Sequence, residues 1–593
     1  MANNLYLPIS KYDVEQRGWD CLDVILITGD AYVDHPSYGV AVIGRYLESK
    51  GYRVGIISQP DWRDTKHFMK LGRPRLYFGI TAGNVDSMIA NYTSNKIPRK
   101  TDDYSPEKNQ NQRPDRAVIV YANRVRECYK DVPIVIGGLE ASLRRLAHYD
   151  YWDDKVRRSI LLDSRADILV YGMGERQILE ITDKLSEGET VESLGWIRGT
   201  AVVSDGYQHL KKYEMLPSFE DVSEDKDKFN EAFRVMYNNM NPFTAKPLVQ
   251  KHQDRYVIQY PPALPFTTEE LDEVYDLKYV RHWHPIYNNL GGVRGYETVK
   301  FSIVSHRGCP GECSFCSLYA HQGRIVQSRS AASVLREAEQ LAAQKYFKGT
   351  ITDVGGPSAN LFAADCANWT KKGFCKDKKC LGAEKCKNLK LGYESFLKLL
   401  RRIKEIPNVK HVFVGSGFRY DLLTDKASRP FLEEIMKSYI SGQMKVAPEH
   451  VDDSMLKLMN KPKFKAYDDF YKTFQDINKS LENKVYAVNY FIMSHPGETL
   501  KDALNTALFF IDRRMHPEQI QDYIPLPMTA SGAMYHTGKD PFTGETVYVP
   551  KTLNERVKHR ALVQYKNPGN KKYVLECLEE LNEKHMVKYF FIT

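Results

Sequence analysis

No stretch of this sequence is apolar for long enough to cross a bilayer. Its longest apolar runs, such as Val24-Ile25-Leu26-Ile27 and Ala117-Val118-Ile119-Val120, are strand-sized and far short of the roughly 18 residues a span needs. The N-terminus, MANNLYLPIS, has no basic segment leading into an apolar one. A secretory signal is therefore not expected, a membrane partner is not expected, and the cytoplasm is the expected location. A serine elbow, a Walker loop and an H-E-x-x-H stretch are also missing. Gly172-Met173-Gly174-Glu175 is too short for a dinucleotide fingerprint. Cysteine is sparse, ten in 593 residues, and with nothing pointing to an oxidising compartment a disulfide framework is excluded. No nucleic-acid module is legible. A net charge of +9 is thinly spread, and the lysines at Lys371-Lys372, Lys376, Lys378-Lys379 and Lys571-Lys572 read first as solvated surface.

What is present is a large, ordinary globular chain. At 593 residues it is too long for one core, so two or three domains are expected. Hydrophobic content is 42% and charged content 27%, a usual soluble balance. Residues 1–210 read as alternating strands and helices. Strands are expected over 21–28, 53–57, 76–80, 116–121, 133–137 and 168–171, with a helix over 39–50. Short apolar strands divided by helices imply a parallel sheet covered on both faces. Gly137-Gly138, and Gly172 with Gly174, follow strand ends, where such a sheet receives a ligand. Residues 91–116 are polar and hold three prolines, a long excursion expected to lie over a site or to move. Residues 211–295 read as a bridging segment. From 296 to about 540 the alternation resumes, with strands expected over 298–304, 349–354, 410–414, 444–447, 485–493 and 521–524, which suggests a βα barrel, complete or partial. A helical tail is expected over 541–593.

Seven of the ten cysteines fall between Cys309 and Cys386; the others are Cys21, Cys128 and Cys577. The sharpest signal is Cys309-Pro-Gly-Glu-Cys313-Ser-Phe-Cys316, just beyond an expected strand. Three thiolates in eight residues suit an iron–sulfur cluster or zinc, and three ligands to a cubane leave one iron open. Gly308 and Gly311 let the backbone wrap closely. Cys366, Cys375, Cys380 and Cys386 form a second set inside a lysine-rich insertion, residues 362–390. Such a loop has few apolar groups to bury, and a metal, either zinc or a second cubane, would order it.

The C-x3-C-x2-C spacing, with Phe315 before the last cysteine, resembles that of the radical S-adenosylmethionine (SAM) enzymes. Asp353-Val-Gly355-Gly356-Pro357 resembles their glycine-rich segment, and His495-Pro496-Gly497-Glu498-Thr499 resembles the P-G-E-T turn of the radical methylthiotransferases and their relatives. Over nearly its full length the chain is similar to the YgiQ-type radical SAM proteins. The resemblance implies a cobalamin-binding-like α/β domain ahead of the radical core. It also implies a [4Fe-4S] cluster on Cys309, Cys313 and Cys316, and a cofactor amine held at Gly355-Gly356. Arg419 would then meet the methionyl carboxylate, and Glu449 and His450 the ribose or the substrate. An electron donor such as flavodoxin or ferredoxin would supply the electron. Cobalamin itself is left open. Asp34-His35-Pro36-Ser37-Tyr38-Gly39 stands where D-x-H-x-x-G would hold cobalt, but its aspartate and histidine are adjacent.

The leading expectation is a radical SAM enzyme of unstated substrate. The alternatives are a cobalamin-assisted radical methyltransferase and an iron–sulfur protein that binds nucleic acid or protein without radical chemistry. A methylthiotransferase is disfavoured, because only Cys21 and Cys128 precede residue 300. The two sets of strand ends are expected to face each other across one pocket.

Overall fold

The computed structural model describes residues 5–107, 112–517 and 519–591. Its N-terminal half is built on one nine-stranded sheet. In chain order the strands are β1 (Val24–Thr28), β2 (Val54–Ser58), β3 (Tyr77–Thr81), β4 (Ile134–Ile136), β5 (Ile168–Val170), β6 (Thr200–Ser204), β7 (Glu214–Leu216), β8 (Leu248–His252) and β9 (Arg255–Gln259). Across the sheet they run β7-β8-β9-β6-β5-β4-β3-β1-β2. The five from β2 to β5 are parallel, in the order 2-1-3-4-5. That order reverses direction between β1 and β3, and a doubly wound sheet opens a crevice at this switch. The helices α1 (Gly39–Ser49), α2 (Ala117–Cys128) and α3 (Glu175–Ser186) cover the sheet.

Two expectations are corrected here. Residues 116–121 are not a strand but the start of α2. Ala117, Val118, Tyr121, Ala122 and Val125 are the buried positions, a helical spacing that a run of four apolar residues conceals. Residues 211–295 do more than bridge. The segment LVQKHQDRYVIQY folds into the β8–β9 hairpin, whose turn places Gln253 at φ +56°, and β9 pairs antiparallel with β6. The partner strand of the hairpin lies some fifty residues away in the chain, and only that pairing makes it part of the sheet. The excursion at 91–116 folds back over the sheet's end: Arg113 pairs with Asp30 at 2.7 Å, and Ala31 N–H donates to the Tyr104 carbonyl. Residues 108–111 lie outside the described residues.

The radical-domain strands are β10 (Ser302–Val304), β11 (Thr350–Ile351), β12 (Asp353–Gly355), β13 (His411–Val412), β14 (Gln443–Glu449), β15 (Tyr486–Met493) and β16 (Gln519–Asp522). All their pairings are parallel: β10 with β12, β11 with β13, β14 with β15 and β15 with β16. Bonds from Val354 N to Phe413 O and from Phe418 N to Lys445 O join these pieces in series. The result is a partial βα barrel. Its core packs α4 (Ala331–Ala342), α5 (Tyr393–Lys404), α6 (Arg429–Ser438) and α7 (Phe464–Ser480) against the strands. A helical C-terminal region, α8 (Leu553–Val563) and α9 (Lys571–Glu580), packs on β15 and its following helix. Among the described residues no helix is long and apolar enough to cross a membrane.

Candidate active site

Beyond β10 the chain makes a short antiparallel arm, His306–Arg307 against Gln327–Ser328. The loop between its limbs carries Cys309, Cys313 and Cys316. Gly308 opens the loop at φ +84°, and a Cβ there would stand 2.0 Å from the Ile325 carbonyl oxygen, so only glycine fits this crossing. Cys309 N–H donates to Gly323 O at 3.1 Å, Cys316 N–H to Cys313 O at 3.0 Å, and Leu318 N–H to the Cys316 sulfur at 3.5 Å. Asn460 and the Met459 carbonyl hold the loop from the barrel side, through Glu312 O at 2.8 Å and Ser314 N–H at 3.0 Å. None of the three cysteines is in a disulfide. Burial raises the Cys309 and Cys316 thiols above the ordinary thiol range, and the Arg419 guanidinium partly offsets this at Cys309.

Three uncrosslinked thiols on one compact loop, with the Arg419 guanidinium beside them, suit an iron–sulfur cluster that leaves one iron open.

Next to this loop lies a cavity of about 670 Å³. Thr28, Thr81, Gly137 and Gly172, at the ends of the parallel strands, line one side; His306, Asp353, Gly356 and Ser416 line the other. Gly172 abuts the His321 carbonyl, and His321 Nδ1 lies 3.2 Å from Ser142 Oγ, so the two domains touch immediately after Cys316. Gly355 and Gly356 are required by contact: a Cβ would stand 2.2 Å from Ser416 Oγ in one case and 2.6 Å from the His306 ring in the other. Asp353 accepts the Gly415 and Ser416 amides at 2.8 and 3.0 Å and the Ser416 hydroxyl at 2.6 Å, which fixes this wall. Glu175 pairs with Arg307 at 2.7 Å through one oxygen, while its other oxygen is buried at the cavity without a partner.

The chain matches three families end to end: Radical SAM N-terminal over residues 6–302, the Radical SAM superfamily over 303–510, and a domain of unknown function, DUF3362, over 518–587. It is 49% identical over 98% of its length to a UPF0313 protein of Methanocella arvoryzae, of which it covers 96%. It is 48% identical to a UPF0313 protein of Clostridium botulinum (strain Kyoto / Type A2), over 99% of this chain and 91% of that one. This chain belongs to the UPF0313 family of radical SAM proteins. Solved structures similar to it include the radical SAM methyltransferase TsrM from Kitasatospora setae, with a TM-score of 0.48, 16% identity, and 85% and 73% of the two chains covered. Another is the cobalamin-dependent radical SAM enzyme OxsB, with a TM-score of 0.49, 11% identity, and 97% and 72% covered. As a radical SAM enzyme the chain works with an iron–sulfur cluster and SAM.

The other expected residues are placed unevenly around this centre. Arg419 lies against the cysteine loop, where a Cβ on Gly311 would meet its Nη1 at 2.5 Å, and it is paired with Asp421 at 2.8 Å. Glu449 sits at φ +71° on an irregular turn of β14, 3.7 Å from Lys461, and its charge reaches Cys316. His450 departs from expectation. Its Nε2 lies 3.2 Å from Glu498 Oε1 in the P-G-E-T turn and its Nδ1 accepts from Asp452 N–H at 3.1 Å, so both ring nitrogens are already committed. Glu498 also takes His559 Nδ1 at 2.9 Å and is held down to about 2 by these partners against its burial. The Pro-Gly-Glu-Thr signature is thus a buried brace. His35 likewise faces away from the cavity: its Nδ1 accepts from Ser37 N–H at 3.1 Å and its Nε2 lies 3.2 Å from Arg281. The site residues that escaped sequence reading are His306, Arg307, Asp353, Ser416 and Glu175. Asp353 and Glu175 each adjoin a glycine-bearing strand end, which was the available signal.

Proposed function

We propose that this enzyme cleaves SAM at a [4Fe-4S] cluster held by Cys309, Cys313 and Cys316, and directs the radical at a substrate seated in the chamber between the two domains. When bound, cluster and SAM supply one-electron cleavage of the sulfonium to methionine and a 5′-deoxyadenosyl radical. The chain's own residues bind, orient and enclose. Gly355 and Gly356 bring bare backbone to the chamber wall beside the loop, where the methionyl amine is expected. Arg419, with Asp421 taking part of its charge, offsets the thiolates and faces the cofactor carboxylate. Glu449 and Lys461 brace the far side of the loop as a pair. His306 is pushed down to about 4 by burial, so it stays neutral and its Nε2 donates to the Ser358 carbonyl, holding the ring against Gly356. Leu26, Val135, Ile136 and Val170 give the chamber an apolar wall on the side of the N-terminal sheet.

The observation that carries this reading is the cavity of about 670 Å³, walled by both domains, that lies next to the cysteine loop. Anaerobically reconstituted protein should show a [4Fe-4S] Mössbauer signal and form 5′-deoxyadenosine from SAM under reductant. The Cys309→Ala, Cys313→Ala, Cys316→Ala triple variant should lose the site-differentiated signal and the product. A triple variant that kept both would sink the assignment.

A second reading, cobalamin-assisted radical methyl transfer, is favoured by the shape of the chamber. At the β1/β3 switch it runs under α1 and α3 as an apolar slot between Val40 and Ile178 on the helices and Leu26 and Gly79 on the sheet, room for the flat tail of a large cofactor. His35, buried and turned away, would not ligate cobalt there. Hydroxocobalamin added to the protein should then shift its optical bands, His35→Gln should leave the shifted spectrum alone, and Val40→Trp should abolish it. No shift with the intact protein would remove this reading and leave the first standing. The four cysteines of the insertion form a further candidate metal site on the same rim.

A further inference from the structure

The insertion between residues 362 and 390 is the least regular part of the radical domain, yet it is well packed. Asp365 and Lys390 exchange two backbone bonds, of 3.0 and 2.9 Å, and so close its neck. Inside, the only helix is one turn, Trp369–Lys372. The segment holds eight lysines and three acids, and its few apolar side chains are Trp369, Phe374, Leu381 and Leu389. Even so, Cys366 and Cys380 are buried, and Cys366, Cys375, Cys380 and Cys386 all line one small cavity. Cys366 and Cys380 pack into a small apolar cluster with Trp369, Leu381 and Leu389, and this turns all four thiols toward one pocket instead of scattering them over the lysine-rich surface.

We propose that Cys366, Cys375, Cys380 and Cys386 hold a second iron–sulfur cluster, through which the electron for SAM cleavage enters. The electron-entry role rests on the proposed function above; the cluster itself does not. Three observations carry it. First, N–H groups stand beside two of the sulfurs, and one of them already donates. Asn368 Nδ2–H donates to the Cys375 sulfur at 3.5 Å, and the buried indole N–H of Trp369 has no oxygen or nitrogen partner and lies beside Cys380. Such N–H groups stabilise cluster sulfurs and tune their potential.

Second, four thiols gathered on one pocket match in number the four-cysteine set that holds a cubane, as the three of Cys309, Cys313 and Cys316 match a cubane with one iron left open.

Third, they are neighbours. Cys309 packs against the same apolar cluster that contains Cys366 and Cys380. Lys379 donates to Asn460 Oδ1 at 2.9 Å, and the same asparagine donates to Glu312 O, between the first two cysteines of the other loop. Arg324 spans the gap as well, its guanidinium 4.6 Å from the Phe374 ring while it pairs with Glu312. A purely structural metal gains nothing from this position, whereas an electron relay needs it. The exposed lysines Lys371, Lys376, Lys378, Lys385 and Lys387 complement an acidic one-electron carrier of the flavodoxin or ferredoxin class. One electron leaves the reduced carrier, enters the insertion's cluster and passes on to the cofactor-binding centre. The relay thus returns to its oxidised state each time, with no bond made or broken there.

The test uses the full chain, reconstituted anaerobically with iron and sulfide. The Cys309→Ala, Cys313→Ala, Cys316→Ala variant should retain about four irons and four acid-labile sulfides per chain, against about eight of each in the parent, and give an EPR signal on reduction that SAM does not perturb. The Cys366→Ser, Cys375→Ser, Cys380→Ser, Cys386→Ser variant should keep only the SAM-sensitive signal, and reduced flavodoxin should generate that signal at least tenfold more slowly than in the parent. Should that variant fail to fold, Lys378→Glu with Lys385→Glu should still slow reduction by flavodoxin but not by dithionite. One zinc and no residual iron in the triple variant, or no metal at all, would overturn the proposal. A parent with only a SAM-insensitive cluster would instead count against the proposed function and leave this site in place.

Discussion

Arg324 shows how much of the site rests on single side chains. Its guanidinium is buried, pairs with Glu312 at 2.9 Å and lies over the Tyr237 ring at 4.2 Å, while Tyr237 donates its hydroxyl to the same glutamate. Glu312 sits at φ +49° between the first two cysteines, so the arginine holds a strained turn in place as well as neutralising a charge. Removing one partner of a buried pair costs about 3–5 kcal/mol. Arg324→Met should destabilise the chain by that order in urea unfolding and lower the iron retained after reconstitution; unchanged iron content would show that the loop keeps its shape without it. His306 offers a test by pH. Burial depresses its ring to about 4, below the ordinary 6.5. Its neutral form is the folded form, so the stability it contributes is complete above pH 6.5 and is lost as pH falls from there to about 4. The stability difference between the parent and His306→Gln should therefore be constant above pH 6.5 and shift steadily against the parent below it.

At the scale of elements, helix termini and turns do the joining. Glu175 lies in the first turn of α3, where a carboxylate suits the helix dipole, and it reaches across to Arg307 on the arm that opens the cysteine loop. Tyr275 adds a hydroxyl that accepts from Arg307 Nε at 2.9 Å. A double-mutant cycle of Glu175→Gln and Arg307→Met should return a coupling of about 2–4 kcal/mol, because either single change strands a buried partner. A coupling near zero would mean that water reaches the pair. The elements also show what periodicity reveals. In the radical core the strands expected over 349–354, 410–414, 444–447, 485–493 and 521–524 form within a few residues of those bounds, whereas the strand expected over 298–304 is shortened to Ser302–Val304, because residues 298–299 close the short helix Arg294–Val299. In α2 the same reading failed, since four consecutive apolar residues satisfy both periods.

For the molecule as a whole, the two halves are not independent bodies. The core beneath β1, β3 and β4 includes Ala530, Ala533, Met534 and Val547 from the far end of the chain, and Asn230 donates to Thr537 Oγ1 at 3.2 Å. A fragment of residues 1–302 would expose that apolar surface. It should melt well below the full chain by circular dichroism or aggregate on expression, and adding residues 303–593 in trans should raise its solubility. A fragment that melted with the full chain's cooperativity would refute the shared core.

The chemistry of this protein was written in local spacing. Three cysteines within eight residues, a glycine pair after a strand and a cysteine quartet in a lysine-rich loop are each a short-range pattern, and short range is what a sequence displays directly. The alternation of strands and helices is short-range too, which is why the fold class and the cysteine loop were legible. Tertiary structure alone decided which polar groups meet. Asp353 with Ser416, Glu175 with Arg307, and Lys379 with the cysteine loop through Asn460 are separated by tens to hundreds of residues, and no local period links them. It also decided which of the candidate polar side chains face away: His450 and His35 sit in turns beside the site, but a turn sets a Cα position and leaves the side chain's direction to whatever packs behind it.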